Sequence, residues 1–233
     1  MPDNDHRHEQ HGAHENDRAD DVGRPYPNPQ TDSALFARID AALIERLDDY
    51  GYRHTQGTAA MARTLAEIYG TDPDAAYLAA LLHDWDRCVS WPVLIERARA
   101  RGMDITDEVL ASPAILHAHT GADDVARTFP EIPDDVIDAI RRHTVGVADM
   151  RDLDKIIYVA DMIEPTRTNP AIDNLREMVG TVDLDALFVQ AYQRSMMHLV
   201  LKQKVMHPET TAVWNALMLR LNPPGRENPN LKA

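Results

Sequence analysis

The spacing of the apolar residues is the feature that most restricts how this chain can fold. Leucine, isoleucine, valine and methionine recur every three or four positions through most of its length, which is the period of an amphipathic helix. No run alternates as a half-buried strand would. Helix boundaries are marked by Gly70, by Asp72 followed by Pro73, and by Pro133 followed by Asp134. The pattern predicts an all-α fold built as a single helical bundle.

The same periodicity sets approximate bounds for individual helices. We expect the first helix to begin near Leu35 and to end near Gly51. The segment 153–163 is apolar on nearly every side, which indicates a helix at the centre of the bundle. The other predicted helices cover residues 54–70, 72–84, 133–143, 184–201 and 209–221.

The two ends of the chain are predicted to be flexible tails, with the folded domain between them over residues 31–221. Residues 1–30 hold almost no large apolar side chains, so ordering them would bury too little surface to offset the lost conformational entropy. We interpret residues 222–233 in the same way. The N-terminal tail carries four histidines that could chelate stray metal, although a polar solvated tail is the preferred interpretation: His6, His8, His11 and His14.

Charge and composition exclude several classes of function. The chain has 24 Lys and Arg residues against 38 Asp and Glu, a net charge of −14, which disfavours nucleic acid or an anionic membrane as a partner. Its single cysteine, Cys88, cannot form an intrachain disulfide. No apolar run approaches the roughly 18 residues of a membrane span, and the N-terminus lacks the pattern of a secretory signal. We therefore expect a cytoplasmic protein.

Four predicted helices carry an imidazole or a carboxylate where the apolar stripe calls for a core side chain. These residues are His54, the adjacent pair His83 and Asp84, His143, and Asp161. Each alone could be a hydrogen-bonded core residue, but a buried unpaired carboxylate costs several kcal/mol. A divalent cation held between helices would neutralise the carboxylates and bind the imidazoles together. The joint pattern predicts a metal site in the bundle core.

Longer segments around these residues resemble the HD superfamily of metal-dependent phosphohydrolases, and in particular its YqeK-type members. The segments occur in a consistent order: RHTQG at 53–57, AALLHD at 79–84, LH at 116–117, AIRRHTVG at 139–146, DKIIYVADMIEPTR at 154–167, HP at 207–208 and NAL at 215–217. One position and one short segment depart from the family pattern. Arg87 stands where the family often has lysine, and Ala118, His119 and Thr120 stand in place of the more usual glycine and proline.

The resemblance implies an HD-type helical fold with two divalent metal ions, usually iron, although manganese, cobalt, nickel and zinc also suit such ligands. Carried over position by position, the metal ligands would be His54, His83, Asp84, His117, His143 and Asp161. In this interpretation Asp84 bridges the two ions. One ion is completed by His54, His83 and Asp161, and the other by His117 and His143. The additional imidazole of His119 could compete as a ligand, but we favour a position beside the ligands or facing solvent.

The reaction implied by the resemblance is symmetrical hydrolysis of diadenosine tetraphosphate into two ADP, with a metal-activated hydroxide attacking phosphorus. The partner would then be a small dinucleoside polyphosphate, and a homodimer is compatible with the sequence. Two alternatives stay open. The same metal centre could serve a nucleotidase or a hydrolase of another signalling nucleotide, or the chain could be a non-enzymatic helical interaction module stabilised by metal.

A substrate with about four negative charges requires local positive charge on so acidic a protein. We therefore predict that Lys155, Arg87 and Arg167 contact phosphate and act in catalysis together with Asp84. Thr144 could hydrogen-bond a phosphate or cap a helix end, and the sequence favours neither.

Other charged residues near the motifs have a simpler interpretation. Asp86 and Glu164 could orient ligand imidazoles, although we expect both to be solvated. Arg141 and Arg142 are expected to be ordinary surface charges.

Overall fold

The computed structural model describes residues 26–223, apart from the side chain of Ala171, and this part of the chain forms helices and no strand. This confirms the all-α prediction. None of these helices is long and apolar enough to cross a lipid bilayer. The α-helices are α1 (Ser33–Arg46), α2 (Asp49–Tyr69), α3 (Pro73–Leu82), α4 (Trp91–Ala100), α5 (Asp107–Ala111), α6 (Leu116–Thr128), α7 (Asp134–Arg142), α8 (Asp152–Ile163), α9 (Pro170–Met178), α10 (Leu184–Leu201) and α11 (Pro208–Leu221), and a 3-10 helix (Pro113–Ile115) precedes α6.

Most of both predicted tails lies outside the described residues. The exceptions are residues 26–30 and the first two residues of the C-terminal segment. Tyr26 packs partly buried against the core, and its hydroxyl donates a hydrogen bond to the Asp135 carboxylate. Tyr26 therefore contacts the bundle although it lies within the predicted tail.

The prediction that the first helix continues to about Gly51 is wrong. Helix α1 ends at Arg46, and the Asp48 side chain accepts a hydrogen bond of 2.7 Å from the Gly51 backbone N–H. This bond caps the start of α2, because a helix leaves its first N–H groups without partners inside the helix. Gly70 ends α2 as predicted, with a φ of 77° that suits glycine.

Helix α8 lies at the centre of the bundle, as predicted from its apolar sequence. It packs against α2, α3, α7 and α10, and most of its side chains are buried. Helices α2 and α3 pack closely against each other, and α3 contributes a run of fully or nearly fully buried small and large apolar residues, namely Ala75, Ala76, Leu78, Ala79, Ala80 and Leu82. Small alanine side chains let two helix backbones approach, so α3 delivers its C-terminal end into the centre of the fold.

Helices α4 and α5 form a second, smaller apolar cluster with the 3-10 helix and the start of α6. Its buried members are Leu94, Ala98, Val109 and Leu116. The cluster packs around the turn that precedes α6, and this turn leads directly into His117. Packing of the smaller cluster therefore fixes where α6 begins relative to the main bundle.

The cap of α3 gives a test of this local structure. The Asp72 carboxylate accepts hydrogen bonds from the backbone N–H groups of Asp74 (2.9 Å) and Ala75 (3.0 Å). We expect Asp72→Ala to lower the free energy of unfolding by about 1 kcal/mol in urea titrations, because both N–H groups lose their partner. Ser90 precedes α4 without a side-chain cap bond, so Ser90→Ala is the matched control, with an expected change below about 0.5 kcal/mol. Equal losses in the two variants would contradict the capping argument.

Candidate metal centre

Five segments of the fold bring their polar residues to one place in the bundle. His54 lies within α2 and Asp161 within α8. The pair His83 and Asp84 directly follows α3, and His143 directly follows α7. The sixth residue, His117, lies in the first turn of α6. The structure therefore brings together all six residues predicted as metal ligands.

The two carboxylate oxygens of Asp84 face different pairs of imidazoles. Its Oδ1 atom lies 2.9 Å from His117 Nε2 and 3.7 Å from His143 Nε2. Its Oδ2 atom lies 3.5 Å from His83 Nε2 and 3.7 Å from His54 Nε2. A carboxylate in this position can share its oxygens between two cations.

Asp161 completes the group on the Oδ2 side of Asp84. Its Oδ1 atom lies 3.0 Å from His54 Nε2 and 3.9 Å from His83 Nε2. The ligand atoms of His54, His83 and Asp161 lie within 4.8 Å of one another, and the same holds for His83, Asp84 and His143. Each group is compact enough to surround one ion.

All four imidazoles use the Nδ1 atom for a hydrogen bond to the protein and direct the Nε2 atom into the centre. The acceptors of His83, His117 and His143 are each a backbone carbonyl three residues earlier, and the acceptor of His54 is a carboxylate. These pairs are His83 with Ala80 (2.6 Å), His117 with Ala114, His143 with Ile140 (2.7 Å) and His54 with Glu164 (3.0 Å). A proton on Nδ1 leaves the Nε2 lone pair free for a metal.

Two of these Nε2 atoms are buried without a hydrogen-bond partner among the described residues. They belong to His54 and His83. His54 Nε2 lies close to Asp161 but is not aligned with it as a hydrogen-bond donor. An orphaned buried nitrogen costs free energy unless something pairs with it. The donor set therefore fits a metal ion, because a cation would supply the missing partner for both rings.

The ionisation of His83, Asp84 and Asp161 also suits metal binding. Burial lowers the pKa of His83 to about 4, so this ring is neutral at pH 7. Burial alone would raise the pKa of Asp84, but the adjacent imidazoles of His83, His117 and His143 hold it well below its usual value. Burial would likewise raise the pKa of Asp161, and contact with His54 keeps it low instead. Neutral imidazoles and ionised carboxylates are the forms that bind metal.

A cleft of about 360 Å³ opens onto this centre. Its walls include Asp84, His117, His143 and Asp161, and also three of the predicted substrate contacts, namely Arg87, Thr144 and Arg167. Apolar side chains from α8, α9 and the turn before α6 form part of the remaining wall. The cleft therefore joins candidate metal ligands to cationic and apolar surface.

The two arginines in the cleft are held differently. Arg167 donates a hydrogen bond of 2.8 Å from Nη2 to Asp161 Oδ1 and another of 3.2 Å from Nε to the Asp161 carbonyl. The side chain of Arg87 is 52% exposed, and its Nε atom lies 4.0 Å from Asp84 Oδ2. Thr144 presents a buried Oγ1 atom that has no hydrogen-bond partner among the described residues, so its hydroxyl does not cap α7.

The position of Lys155 does not support its predicted contact with phosphate. The ammonium group pairs with Asp152 at 2.8 Å and with Asp185 at 2.6 Å, and the residue is not part of the described cleft wall. Lys155 and Asp161 lie on one continuous helix, so six residues separate them by about 9 Å along the axis and place them on different faces. The ammonium group of Lys155 is therefore not placed to contact a phosphate in the described cleft.

Glu164 contacts a candidate metal ligand, contrary to the expectation from sequence. We expected it to be solvated, but it is fully buried and its Oε1 atom accepts the hydrogen bond from His54 Nδ1. Asp86 is also fully buried rather than solvated, and it pairs with Arg97 at 3.0 Å and Arg46 at 3.4 Å instead of a ligand imidazole. The proline after Glu164 indicates that α8 ends there, but no local feature of the sequence indicates the contact of Glu164 with His54.

The remaining candidates lie away from the cleft wall. His119 is two residues from His117 on α6, so the two rings project from nearly opposite faces of the helix, and the extra imidazole does not join the described cluster. Arg141 pairs with Asp123 and Asp138, as expected of a charge outside the site.

Sequence comparisons give matches to known proteins over most of this chain. Residues 51–166 match the model of the HD domain family. The chain is 33% identical to a symmetrical bis(5'-nucleosyl)-tetraphosphatase of Bacillus subtilis, over 76% of this chain and 95% of the relative. A protein of the same name from Halalkalibacterium halodurans is also 33% identical, over 74% of this chain and 91% of the relative.

The fold has a match among solved structures. A crystal structure from Clostridium acetobutylicum, described as a predicted HD superfamily hydrolase involved in NAD metabolism, aligns with a TM-score of 0.74 and 31% identity. The alignment covers 79% of this chain and 97% of that protein. With the adjacent histidine and aspartate in place and close relatives matched over nearly their whole length, this chain belongs to the HD superfamily, among its YqeK-type phosphohydrolases.

Proposed function

We propose that this chain is a metal-dependent hydrolase that cleaves diadenosine tetraphosphate and related dinucleoside polyphosphates symmetrically into two nucleoside diphosphates. The observation that carries the proposal is the buried Asp84 carboxylate, whose two oxygens face separate pairs of imidazoles. Each imidazole directs its Nε2 atom toward the centre, and the carboxylate lines a cleft. The names of the B. subtilis and H. halodurans relatives supply the substrate class.

The ligand set is suited to two divalent ions. His54, His83 and Asp161 would hold one ion, His117 and His143 the other, and Asp84 would be shared. Bound divalent metal at such a site lowers the pKa of water and neutralises charge on a phosphoryl group. Imidazole and carboxylate ligands accept iron, manganese, cobalt, nickel or zinc, and we propose iron as the resident metal.

The protein residues around the centre bind and orient the polyphosphate. Arg87 is half exposed, so its guanidinium group can bind two phosphate oxygens. Arg167 donates from Nε and Nη2 to Asp161 and has further N–H groups for phosphate, and Thr144 lines the same cleft with a buried hydroxyl that lacks a hydrogen-bond partner among the described residues. Both arginines line the cleft within a few residues of candidate ligands, so each supplies a positive charge close to where the phosphates would bind. Symmetrical cleavage requires the middle of the tetraphosphate to lie over Asp84. The oxygen of one water then bonds to one central phosphorus as the bond from that phosphorus to the bridging oxygen breaks. The bridging oxygen leaves on the other diphosphate, and the protons of the water pass to solvent or to the leaving oxygen.

The pattern of products tests the proposed reaction. With purified metal-loaded protein, we expect diadenosine tetraphosphate to give ADP as the only nucleotide product in ion-exchange chromatography. In ¹⁸O-labelled water, mass spectrometry should find the label in one of the two ADP molecules formed per turnover. ATP and AMP in equal amounts would indicate asymmetrical cleavage, and faster hydrolysis of AMP or ADP would favour a nucleotidase. Either result would contradict the proposal.

Removal of the shared carboxylate tests the role of Asp84. We expect Asp84→Ala to lose bound metal and to lower kcat/KM about a thousandfold or more, because metal catalysis supplies several kcal/mol of transition-state stabilisation. Metal analysis of the purified protein and steady-state kinetics measure the two effects. Asp149→Asn is the control, since Asp149 is an exposed acidic residue that pairs with Arg220 away from the cleft. Normal metal content in Asp84→Ala would contradict the assignment.

The two basic residues near Asp161 should behave differently. We expect Arg167→Met to raise KM or lower kcat by about tenfold or more, because hydrogen bonds to charged groups contribute about 1.5–3 kcal/mol. Lys155→Met should leave KM and kcat within about twofold, because Lys155 lies outside the described cleft wall. It should lower the free energy of unfolding by up to about 1 kcal/mol, because the ion pairs with Asp152 and Asp185 are lost. Steady-state kinetics and urea unfolding measure these effects. A larger kinetic defect in Lys155→Met than in Arg167→Met would reverse the assignment.

A further inference from the structure

Helix α2 contains a glycine at a position where helix stability alone would favour alanine. Gly57 lies near the middle of this helix, three residues after His54. Glycine weakens a helix interior because its backbone loses more conformational entropy on folding. A Cβ atom added at Gly57 would lie 2.9 Å from Glu164 Oε2 and 3.6 Å from Pro165 Cδ. The first distance is shorter than real Cβ contacts, so a side chain at residue 57 and the present position of Glu164 exclude each other.

The Glu164 carboxylate has little freedom to move away. Its Oε2 atom accepts a hydrogen bond of 2.6 Å from the Thr166 backbone N–H, and its Oε1 atom accepts one of 2.5 Å from the Thr166 hydroxyl. The same Oε1 atom accepts from His54 Nδ1 at 3.0 Å and lies 3.6 Å from Arg167 Nε. The side chain is fully buried. A methyl group at residue 57 would therefore displace a carboxylate that several partners hold in place.

We propose that Gly57 is a positioning residue for the metal centre: the absence of a side chain leaves room for Glu164 against His54. This inference rests on the metal binding in the proposed function and is independent of the nucleotide substrate. Glu164 in turn holds the proton of His54 on Nδ1 and directs Nε2 toward Asp161 and Asp84. Glycine at residue 57 lowers the stability of α2 relative to alanine, but it leaves the space in which Glu164 orients the His54 ring.

A side chain at residue 57 is expected to lower the affinity for metal. With a methyl group at residue 57, Glu164 shifts and the His54 ring loses the acceptor for its Nδ1 proton. The ring is then free to rotate or to move its proton to Nε2, and either change removes the lone pair from the centre. Loss of such a ligand-orienting partner typically reduces metal affinity by about 10- to 100-fold.

A double-mutant cycle tests the proposal on the full-length protein. Metal is removed with a chelator, and Co²⁺ is titrated back by calorimetry and by absorption spectroscopy, with no nucleotide present. We expect Gly57→Ala to weaken Co²⁺ binding by about 10- to 100-fold, as Glu164→Ala also does. In the Glu164→Ala background, where the obstructing carboxylate is absent, Gly57→Ala should cause no further loss.

Two control variants separate this effect from helix stability. Ala60→Gly changes an exposed position one turn along the same helix and should lower the Tm of the metal-free protein without changing Co²⁺ affinity. Glu164→Gln keeps an oxygen acceptor and a similar volume, so it should bind Co²⁺ within about threefold of the parent, a smaller loss than Glu164→Ala shows.

Each outcome decides the proposal. Unchanged Co²⁺ affinity in Gly57→Ala, or an equal loss with and without Glu164, would overturn it. If Gly57→Ala does not fold, the double variant with Glu164→Ala must fold and bind Co²⁺ as Glu164→Ala does, and its failure would also overturn the proposal. Absence of tetraphosphate hydrolysis in a protein whose Co²⁺ titrations follow the expected pattern would contradict only the proposed function.

Discussion

The rest of the structure depends on the burial of the Asp84 carboxylate among four imidazoles. Taking an unpaired carboxylate out of water costs several kcal/mol, so this fold is stable only if compensating groups are held around it. The compensation comes from α2 and α6 and from the residues that follow α3 and α7. A shift of any one of these helices would withdraw a partner from the carboxylate. The positions of these helices in the bundle therefore determine the geometry of the centre.

Helix ends supply the local device that orients two of the imidazoles. His83 and His143 are each the first residue after a helix, and each donates its Nδ1 proton to the carbonyl three residues earlier, in the last turn. Carbonyls at a helix C-terminus lack partners inside the helix, so they are available as acceptors. The same bond fixes the tautomer of a candidate ligand and directs its Nε2 atom into the centre. His54 lies inside a helix, where carbonyls are already paired, and it needs a carboxylate from elsewhere in the chain instead.

Much of the fold and of the candidate site could be predicted from the sequence. Apolar periodicity and the capping signals at Gly70 and Asp72 predicted helices that the structure confirms, because these signals act within a few residues. The polar residues that interrupt the apolar stripes are the ones that the structure brings together, because a buried charge is stable only beside groups that compensate it. The end of α1 was missed, since the apolar period runs on through Leu47 while Asp48 already caps the next helix.

Contacts that depend on where the chain turns could not be predicted from spacing alone. Lys155 and Arg167 are both six residues from Asp161, yet only Arg167 reaches it, because α8 continues through Lys155 and ends at Ile163 before the chain folds back. The proline after Glu164 was a local signal for that end, since the residue before proline is driven out of the helical region. The contact of Glu164 with His54, across 110 residues of sequence, had no such signal. A sequence can mark where buried polar side chains must meet, but the group that orients one of them becomes visible only when distant segments are packed together.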